Sequence, residues 1–395
     1  MQKTLKIAVI IKNFNLLGGA EKYAVKTTQL LALKGHKIDL YSWNADKKII
    51  DGINHIKIPY KAKFSSFLSL WFFGYFVRKK LKNKKYDAII SHDRTWSQDI
   101  SIVHTFSYKT GLKKYSFFRK IDQVWLSPRA LCYLWLEKQQ MSKKNLVSVS
   151  DIIKDDIKNN YQRVKNVFTI TPGIDMKTFS HINIQKNKDK FRNKENIPDN
   201  KFIVLFVGSE FKRKGLDVLI PSIGDDMFLY IAGRGEKINY YKKLIKKYNK
   251  ISKIKFLGLI KDTNKWYSIS DVVVLPSIKE AFGMTILEAM SCGLPVIVSK
   301  NAGVSSLIDH GKNGFICQNQ KDIETILLEL KNTPKTRKRI GENARLTAFE
   351  HTWDICADKF EELCLKITEQ KNKDYLSEES SNLISKKESI FFFFK

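Results

Sequence analysis

Cysteine pairing is missing from this 395-residue chain. Its five cysteines, Cys132, Cys292, Cys317, Cys356 and Cys364, contain no Cys-x-x-Cys unit and are odd in number. They read as buried free thiols of a reducing compartment, not as bridges or zinc ligands. Long apolar runs are missing too: no stretch reaches the roughly 20 residues of a membrane span. The start, which leads straight into LKIAVII, lacks the pattern of a signal peptide. The spaced Gly-x-Gly-x-x-Gly fingerprint and its acidic partner are absent, which argues against a nicotinamide-dependent oxidoreductase. No helix-turn-helix, zinc-finger or RNA-recognition signature is present, so nucleic acid is not the expected partner. No Asp-x-Asp element stands at a suitable place, and the pairs Asp155-Asp156 and Asp225-Asp226 read as surface or cap residues, so no metal is expected. Acid itself is scarce: 40 Asp and Glu face 70 Lys and Arg, a net charge of +30. Such a field favours an anionic partner, a phosphorylated substrate or an anionic membrane surface. The codon bias of an AT-rich genome, which would also enrich Asn, Ile and Phe, is the alternative explanation for part of the same excess.

What is present is apolar material for real cores, 43% of the chain, at a length that fits two α/β domains. Leu5–Ile11, Lys37–Ser42, Asp87–Ser91, Ser101–His104, Leu146–Val149 and Val167–Ile170 read as strands, with a helix from about Ala20 to Lys34 ended by Gly35. That is the βαβ rhythm of a parallel sheet. The element TPGID, Thr171 to Asp175, turns the chain out of this first domain, and His181–Asn200 reads as a polar surface connection with a short helix. A second series follows at Phe202–Val207, Phe228–Gly233, Ile254–Leu257, Asp271–Leu275 and Pro295–Ser299. A last helix spans Asp354–Ile367, and the polar Lys371–Lys395, ending FFFFK, reads as a disordered or loosely attached tail.

The most informative run is DVVVLPSIKEAFGMTILEAMSCGLPVIVS. Glu280 and Glu288 bracket a Phe-Gly pair at the start of a predicted helix, just after an apolar strand. A carboxylate accepts two hydrogen bonds at once and so suits vicinal hydroxyls of a ribose or hexose. The free amides of a helix start suit a phosphate. Together these abilities describe a pocket for a nucleotide sugar. The run resembles the signature of glycosyltransferase family 4, with its Glu–seven residues–Glu spacing, Phe-Gly after the first Glu, and Glu-Ala-Met followed by Gly-x-Pro-Val-Ile. The resemblance extends to about Ile367 and is strong in the C-terminal half.

It implies a GT-B fold, an α/β architecture of two Rossmann-like domains whose parallel sheets face one another across a cleft. Residues 1–172, completed by a helix at about 354–369, would bind the acceptor, and 173–353 the nucleotide sugar. It implies retaining transfer of a sugar, without a metal, and no cofactor beyond the nucleotide-sugar substrate. Glu280 would contact hydroxyls of the transferred sugar and Glu288 the ribose diol. Phe282, Gly283, Met284 and Thr285 would lie at the donor, Gly283 letting the backbone approach the diphosphate. In GSEFKRKGLD, Arg213 and Lys214 would stabilise the departing diphosphate, with Gly208 leaving room for the backbone. Gly18 and Gly19 match the family's Gly-Gly loop, where the donor phosphates or the acceptor would approach backbone amides. His104, at the C-terminal end of a strand, would lie near the transferred sugar. His92 and Asp93 are weaker members of that group, and Arg94 would face the acceptor. The loop Leu259–Lys261 would seat the base.

FLSLWFFGYFV, Phe67–Val77, is followed by RKKLKNKK. It is too short to span a bilayer and fits either an interfacial helix on anionic lipid or a core helix. Tyr108–Lys144, with Trp125, Tyr133 and Trp135 among basic residues, is a second candidate for membrane contact. The resulting expectation is a glucosyltransferase similar to the lipopolysaccharide core enzymes of the family, using UDP-glucose. It would act on a lipid-linked or lipopolysaccharide-type acceptor at the inner face of the cytoplasmic membrane. Galactose, N-acetylhexosamine, mannose or a heptose remain open as the sugar transferred, as do capsule or O-antigen acceptors.

Overall fold

The computed structural model describes residues 3–59, 66–113, 127–163, 165–195, 197 and 201–393. In the first half the β-branched and leucine-rich runs form β1 (Lys6–Ile10), β2 (Asn13–Phe14), β3 (Lys37–Ser42), β4 (Asn44–Ala45), β5 (Asn54–Lys57), β6 (Ala88–Ser91), β7 (Ile100–Val103), β8 (Asn145–Ser148) and β9 (Val167–Thr169). Seven of them build one parallel sheet in the order β5-β3-β1-β6-β7-β8-β9, while β2 and β4 pair separately. The second half supplies β10 (Phe202–Val207), β11 (Met227–Ala232), β12 (Ile254–Gly258), β13 (Val272–Leu275), β14 (Val296–Ser299) and β15 (Phe315–Cys317). These form a parallel sheet ordered β12-β11-β10-β13-β14-β15. Both sheets reverse direction beside their first strand, between β1 and β6 and between β10 and β13. Such switch points leave a crevice at the carboxyl ends of the strands, where α/β sheets bind ligands. The loops carrying Gly18-Gly19, His92, Arg213-Lys214 and Glu280 follow these four strands.

Strands buried on both faces explain the continuous apolar runs: every residue of β7, β13 and β14 is buried. The polar edge strand β5, reading NHIK, and the three-residue β15 gave no such run. The helix Trp353–Phe393 packs on the first sheet, placing Trp353, Cys356, Phe360, Leu363, Cys364 and Ile367 in the same core as Ile7, Val9 and Leu146. Its length corrects the expectation of a disordered tail after Lys371, since the helix continues to Phe393. No glycine or proline interrupts it, and Lys371 to Asp99 at 2.6 Å and Lys144 to Asp374 at 3.1 Å tie it to the first sheet's side of the molecule. Residues Phe394 and Lys395 lie outside the described residues.

The helix Ser66–Leu81 contains the apolar run at Phe67–Val77. Phe73, Val77 and Leu81 bury against Ala8, Ile10, Tyr41 and Trp43, while Trp71 and Tyr75 on its other side stay exposed at 37% and 45%. It is thus a core helix with an aromatic outer face. No described helix is long and apolar enough to cross a membrane. All five cysteines are free, and four are buried. Asp156 is not a surface residue: it is buried, accepting a hydrogen bond from the Ser107 amide at 2.7 Å and another from the Thr110 hydroxyl. A sequence pattern of two adjacent acids on a helix does not reveal which one the neighbouring loop covers.

Candidate active site

The acidic loop after β13 is held by its backbone. The Glu280 amide donates to Asn301 O at 3.1 Å, Gly303 N to Glu280 O at 3.0 Å, and Val304 N to Phe282 O at 2.7 Å. Gly283 then adopts φ 112°, with Val304 and Leu275 side chains 3.1 and 3.2 Å from where a Cβ would stand. A β-carbon there is both strained and crowded, so glycine is required. The helix Met284–Ser291 starts directly after it with no side-chain cap and no acid in its first turn. Its leading amides are therefore available to an anion. The Thr285 hydroxyl is buried with no hydrogen-bond partner among the described residues.

Glu280 meets both expected cations. Arg213 Nη1 lies 3.1 Å and Lys214 Nζ 3.2 Å from the same Oε2. Arg213 also donates to Lys279 O at 2.7 Å and to Glu210 at 2.5 Å. Burial works against the Arg213 charge, but Glu210 and Glu280 outweigh it and hold the guanidinium more firmly protonated than usual. The loop is pinned by close backbone approaches: a Cβ on Gly215, at φ 81°, would fall 1.9 Å from Pro276 O. Gly208 also bears on the lysine. A Cβ there would stand 2.2 Å from Lys214 Cδ, so this glycine makes room for the lysine stem that reaches Glu280.

Glu288 is reached from the other lobe. Lys22 Nζ lies 3.4 Å from its Oε1 and the Tyr267 hydroxyl donates to Oε2 at 3.0 Å. Burial, followed by the Glu288 charge, pushes the Tyr267 hydroxyl far up, so it stays a donor. The Ser150 hydroxyl donates to Ala281 O at 2.5 Å, and Lys279 Nζ stands 3.8 Å over the Phe106 ring, again joining the two lobes at this loop. Sequence reasoning passed over Lys22, Tyr267, Ser150 and Phe106. In a chain so rich in lysine, Lys22 carries no contrast; its place one residue after Gly-Gly-Ala-Glu is the only local signal.

Phe282 is 4% exposed and belongs to the second core, so its ring packs the loop. Met284 is half-buried against both cores. At the first sheet, Gly18 precedes the helix Gly19–Leu33, and the Glu21 carboxylate folds back to within 2.1 Å of where a Gly18 Cβ would be; the space at Gly19 is open. Leu259, in the loop expected to seat the base, presents an exposed side chain.

His104 pairs with His92: Nε2 and Nδ1 are 3.1 Å apart, the rings stack at 5.3 Å, and Tyr23 meets His104 edge-on at 5.2 Å. Burial pushes His104 down to about 4, with Asp93 pulling the other way. Burial and then the His104 charge lower His92 well below its usual range. Both rings are neutral at pH 7, so His104 is a hydrogen-bonding group there and not a proton donor of imidazolium type. Asp93 binds Lys12 at 3.1 Å, and Arg94 binds the fully buried Glu137 at 3.2 Å. Among the described residues no three His, Cys, Asp or Glu side chains are grouped to hold a metal.

Two lobes with parallel sheets, the second carrying the Glu280–Arg213–Lys214 cluster and the first reaching its acidic loop through Lys22 and Ser150, have the architecture of a GT-B glycosyltransferase. The family model described as Glycosyltransferase Family 4 matches residues 17–178, and that described as Glycosyl transferases group 1 matches 187–347. The chain is a glycosyltransferase of the family 4 type. It is 26% identical over 379 residues to an uncharacterized glycosyltransferase of Methanocaldococcus jannaschii, covering 89% of this chain and 96% of that one. It is 22% identical over 355 residues to the lipopolysaccharide glucosyltransferase WaaG of Escherichia coli strain K12, covering 86% and 93%. The crystal structure of WaaG superposes with a TM-score of 0.76 over 91% of this chain and 99% of that one, at 20% identity. HepE of Anabaena, solved with UDP-glucose, gives 0.70 over 92% and 99%, at 17% identity.

Proposed function

We propose that the chain is a retaining hexosyltransferase that moves glucose from UDP-glucose to a membrane-associated glycolipid acceptor in lipopolysaccharide core or other cell-surface glycan synthesis. The observation that carries this reading is the convergence of Arg213 and Lys214 on one oxygen of Glu280, beside an uncapped helix start. The donor diphosphate takes the amides of Gly283, Met284 and Thr285 and shares the two cations, whose fixed charge offsets the negative charge that grows as the glycosidic bond breaks. Glu280 holds hydroxyls of the transferred sugar and Glu288 the ribose diol, Lys22 yielding part of its contact. The acceptor hydroxyl attacks the anomeric carbon from the face that the nucleotide leaves, and a donor phosphate oxygen takes its proton. The side chains therefore position and neutralise. The names of WaaG and HepE support glucose and a uridine nucleotide.

The outer face of the first lobe supports the membrane part of the reading. A groove of about 880 Å³ there is lined by Trp71, Tyr75, Trp96 and Trp135 beside Arg78, Lys79 and Lys82. Rings of this kind sit in the headgroup boundary while the cations meet anionic lipid. Of the second candidate segment, residues 114–126, including Trp125, lie outside the described residues.

A donor-hydrolysis screen over UDP-glucose, UDP-galactose, UDP-N-acetylglucosamine, GDP-mannose and an ADP-heptose tests the reaction. Fastest turnover of UDP-glucose is expected. Preference for a guanine or adenine nucleotide overturns the donor assignment, and hydrolysis of none overturns the donor pocket.

A further inference from the structure

The first lobe holds a cavity of about 770 Å³ at the carboxyl edge of its sheet, within the size range of small-molecule sites. It opens beside Ala20, on the helix whose Lys22 reaches Glu288. Its charged lining consists of Lys12, Asp93, Arg94 and Glu137. In a chain with a net charge of +30, this cavity is balanced, two cations against two carboxylates. The balance is pairwise. Lys12 Nζ lies 3.1 Å from Asp93 Oδ1, and Arg94 Nη2 lies 3.2 Å from Glu137 Oε1. Of the two lining histidines, His92 is buried and His104 half-buried, and both are neutral at pH 7.

Neither pair is incidental. Glu137 is fully buried and also accepts from the Tyr108 amide at 2.8 and 3.0 Å and from the Tyr161 hydroxyl. Asp93 Oδ2 accepts from the Lys12 amide at 2.7 Å, fixing the carboxylate beside the Lys12 ammonium. The cations also lie against aromatic rings: Lys12 Nζ is 6.0 Å from the Trp43 ring and Arg94 Cζ 5.8 Å from that of Tyr133, both rings lining the cavity. Arg129 stands over the Tyr133 ring at the same distance, but it is exposed and does not line the cavity.

We infer that this cavity takes an uncharged, hydroxyl-rich sugar ring of the acceptor and rejects a ring that carries a phosphate. The inference rests on the glycosyltransferase reading and adds the charge class of the acceptor ring. Asp93 offers acceptors and Lys12 and Arg94 offer donors to vicinal hydroxyls, all three being partly exposed, and the rings offer flat apolar faces to sugar C–H groups. A phosphate has no such welcome. Each cation that it would need is already neutralised, and it would be brought within reach of two fixed carboxylates at a cost set by like-charge repulsion.

The test measures binding of methyl glucoside, methyl galactoside and methyl mannoside, and of glucose, galactose and mannose 6-phosphates, to the full chain by saturation-transfer NMR titration. Asp93→Asn is compared with wild type, its fold checked by thermal unfolding, because an asparagine oxygen can still accept from the Lys12 amide. Wild type is expected to bind at least one neutral glycoside about tenfold more tightly than the matching phosphate. Asp93→Asn, by leaving Lys12 unpaired, is expected to narrow or reverse that ratio by about tenfold. Lys12→Met, should Asp93→Asn unfold, is expected to widen the ratio. Equal or tighter binding of phosphates by wild type overturns the inference, and so does failure of wild type to bind any of the six. Donor hydrolysis by wild type reports separately on the reaction, so its failure is distinguishable from a failure of acceptor selectivity.

Discussion

The two lobes share one sheet design and use it differently. In the second lobe the cluster at Glu280 is held mainly by backbone: amide-to-carbonyl bonds between residues 280–282 and 301–304, a left-handed Gly283, and glycines packed directly on carbonyls. In the first lobe the cavity is held by side chains: Lys12 to Asp93, Arg94 to Glu137, and His92 to His104. Backbone geometry suits a group that does not vary, such as a diphosphate. Side-chain pairs can be exchanged without disturbing the sheet, which suits a part of the substrate that differs from enzyme to enzyme. On the proposed reading, the same switch-point crevice supplies reaction chemistry on one side and selectivity on the other.

The sharpest way to break this contrast is at Glu280. Glu280→Gln keeps the backbone clamp and removes the charge shared by Arg213 and Lys214. Turnover of the best donor is expected to fall on the order of 100-fold or more, with the fold intact, as for loss of a group aimed at developing charge. Near-normal kcat with every donor of the panel would end its role.

A second test separates the lobes by pH. His104, with its protonation pushed down to about 4, binds no proton near neutrality in the folded state, whereas the unfolded chain takes one up below about 6.5. The folded state therefore loses stability as pH falls from about 6.5 towards 4. Part of the ring edge faces the open cavity, so a loss on the order of 2 kcal/mol is expected from His104 by pH 4. Urea unfolding at pH 7 and pH 5 should show a smaller acid-induced drop in His104→Asn than in wild type. An equal drop in both would mean that this histidine is not held neutral. Over pH 6 to 8, where the ring stays neutral, no inflection in transfer rate is expected from it.

The smallest effect concerns the outer face of the first lobe. The double change Trp71→Ser and Tyr75→Ser is expected to weaken binding to anionic phosphatidylglycerol vesicles about tenfold, the scale of losing partial burial of two rings. Transfer to a soluble acceptor should be retained. Vesicle binding that is unchanged, or absent in wild type, would detach this lobe from the membrane.

Much of the fold was legible because strands buried on both faces leave continuous apolar runs, as in VVVL before Pro276 and VIVS after Pro295. The donor cluster was legible for a related reason: its residues lie on two short loops, each directly following such a strand. The first-lobe cavity was only partly legible. His104, Asp93 and Arg94 could be noticed at strand ends, but Glu137 lies on the separate helix Pro128–Met141 and Lys12 among ordinary lysines. Motif position did not say that the Phe282 ring turns inward, and Lys371–Phe393 was misread because a polar composition is shared by disordered tails and exposed helices.

By itself the sequence determined two parallel α/β sheets, an acidic motif at a helix start and an Arg-Lys pair after a strand. These depend on contacts between near neighbours and on local hydrophobic pattern. Only the tertiary structure decided that both cations meet one oxygen of Glu280, that Lys22 crosses to Glu288, and that Glu137 cancels Arg94 in a cavity without net charge. Those facts depend on side chains far apart in the chain, the first brought together by neighbouring strands of the second sheet, the second by contact between the lobes, and the third by a helix of the first lobe, and no local pattern records them.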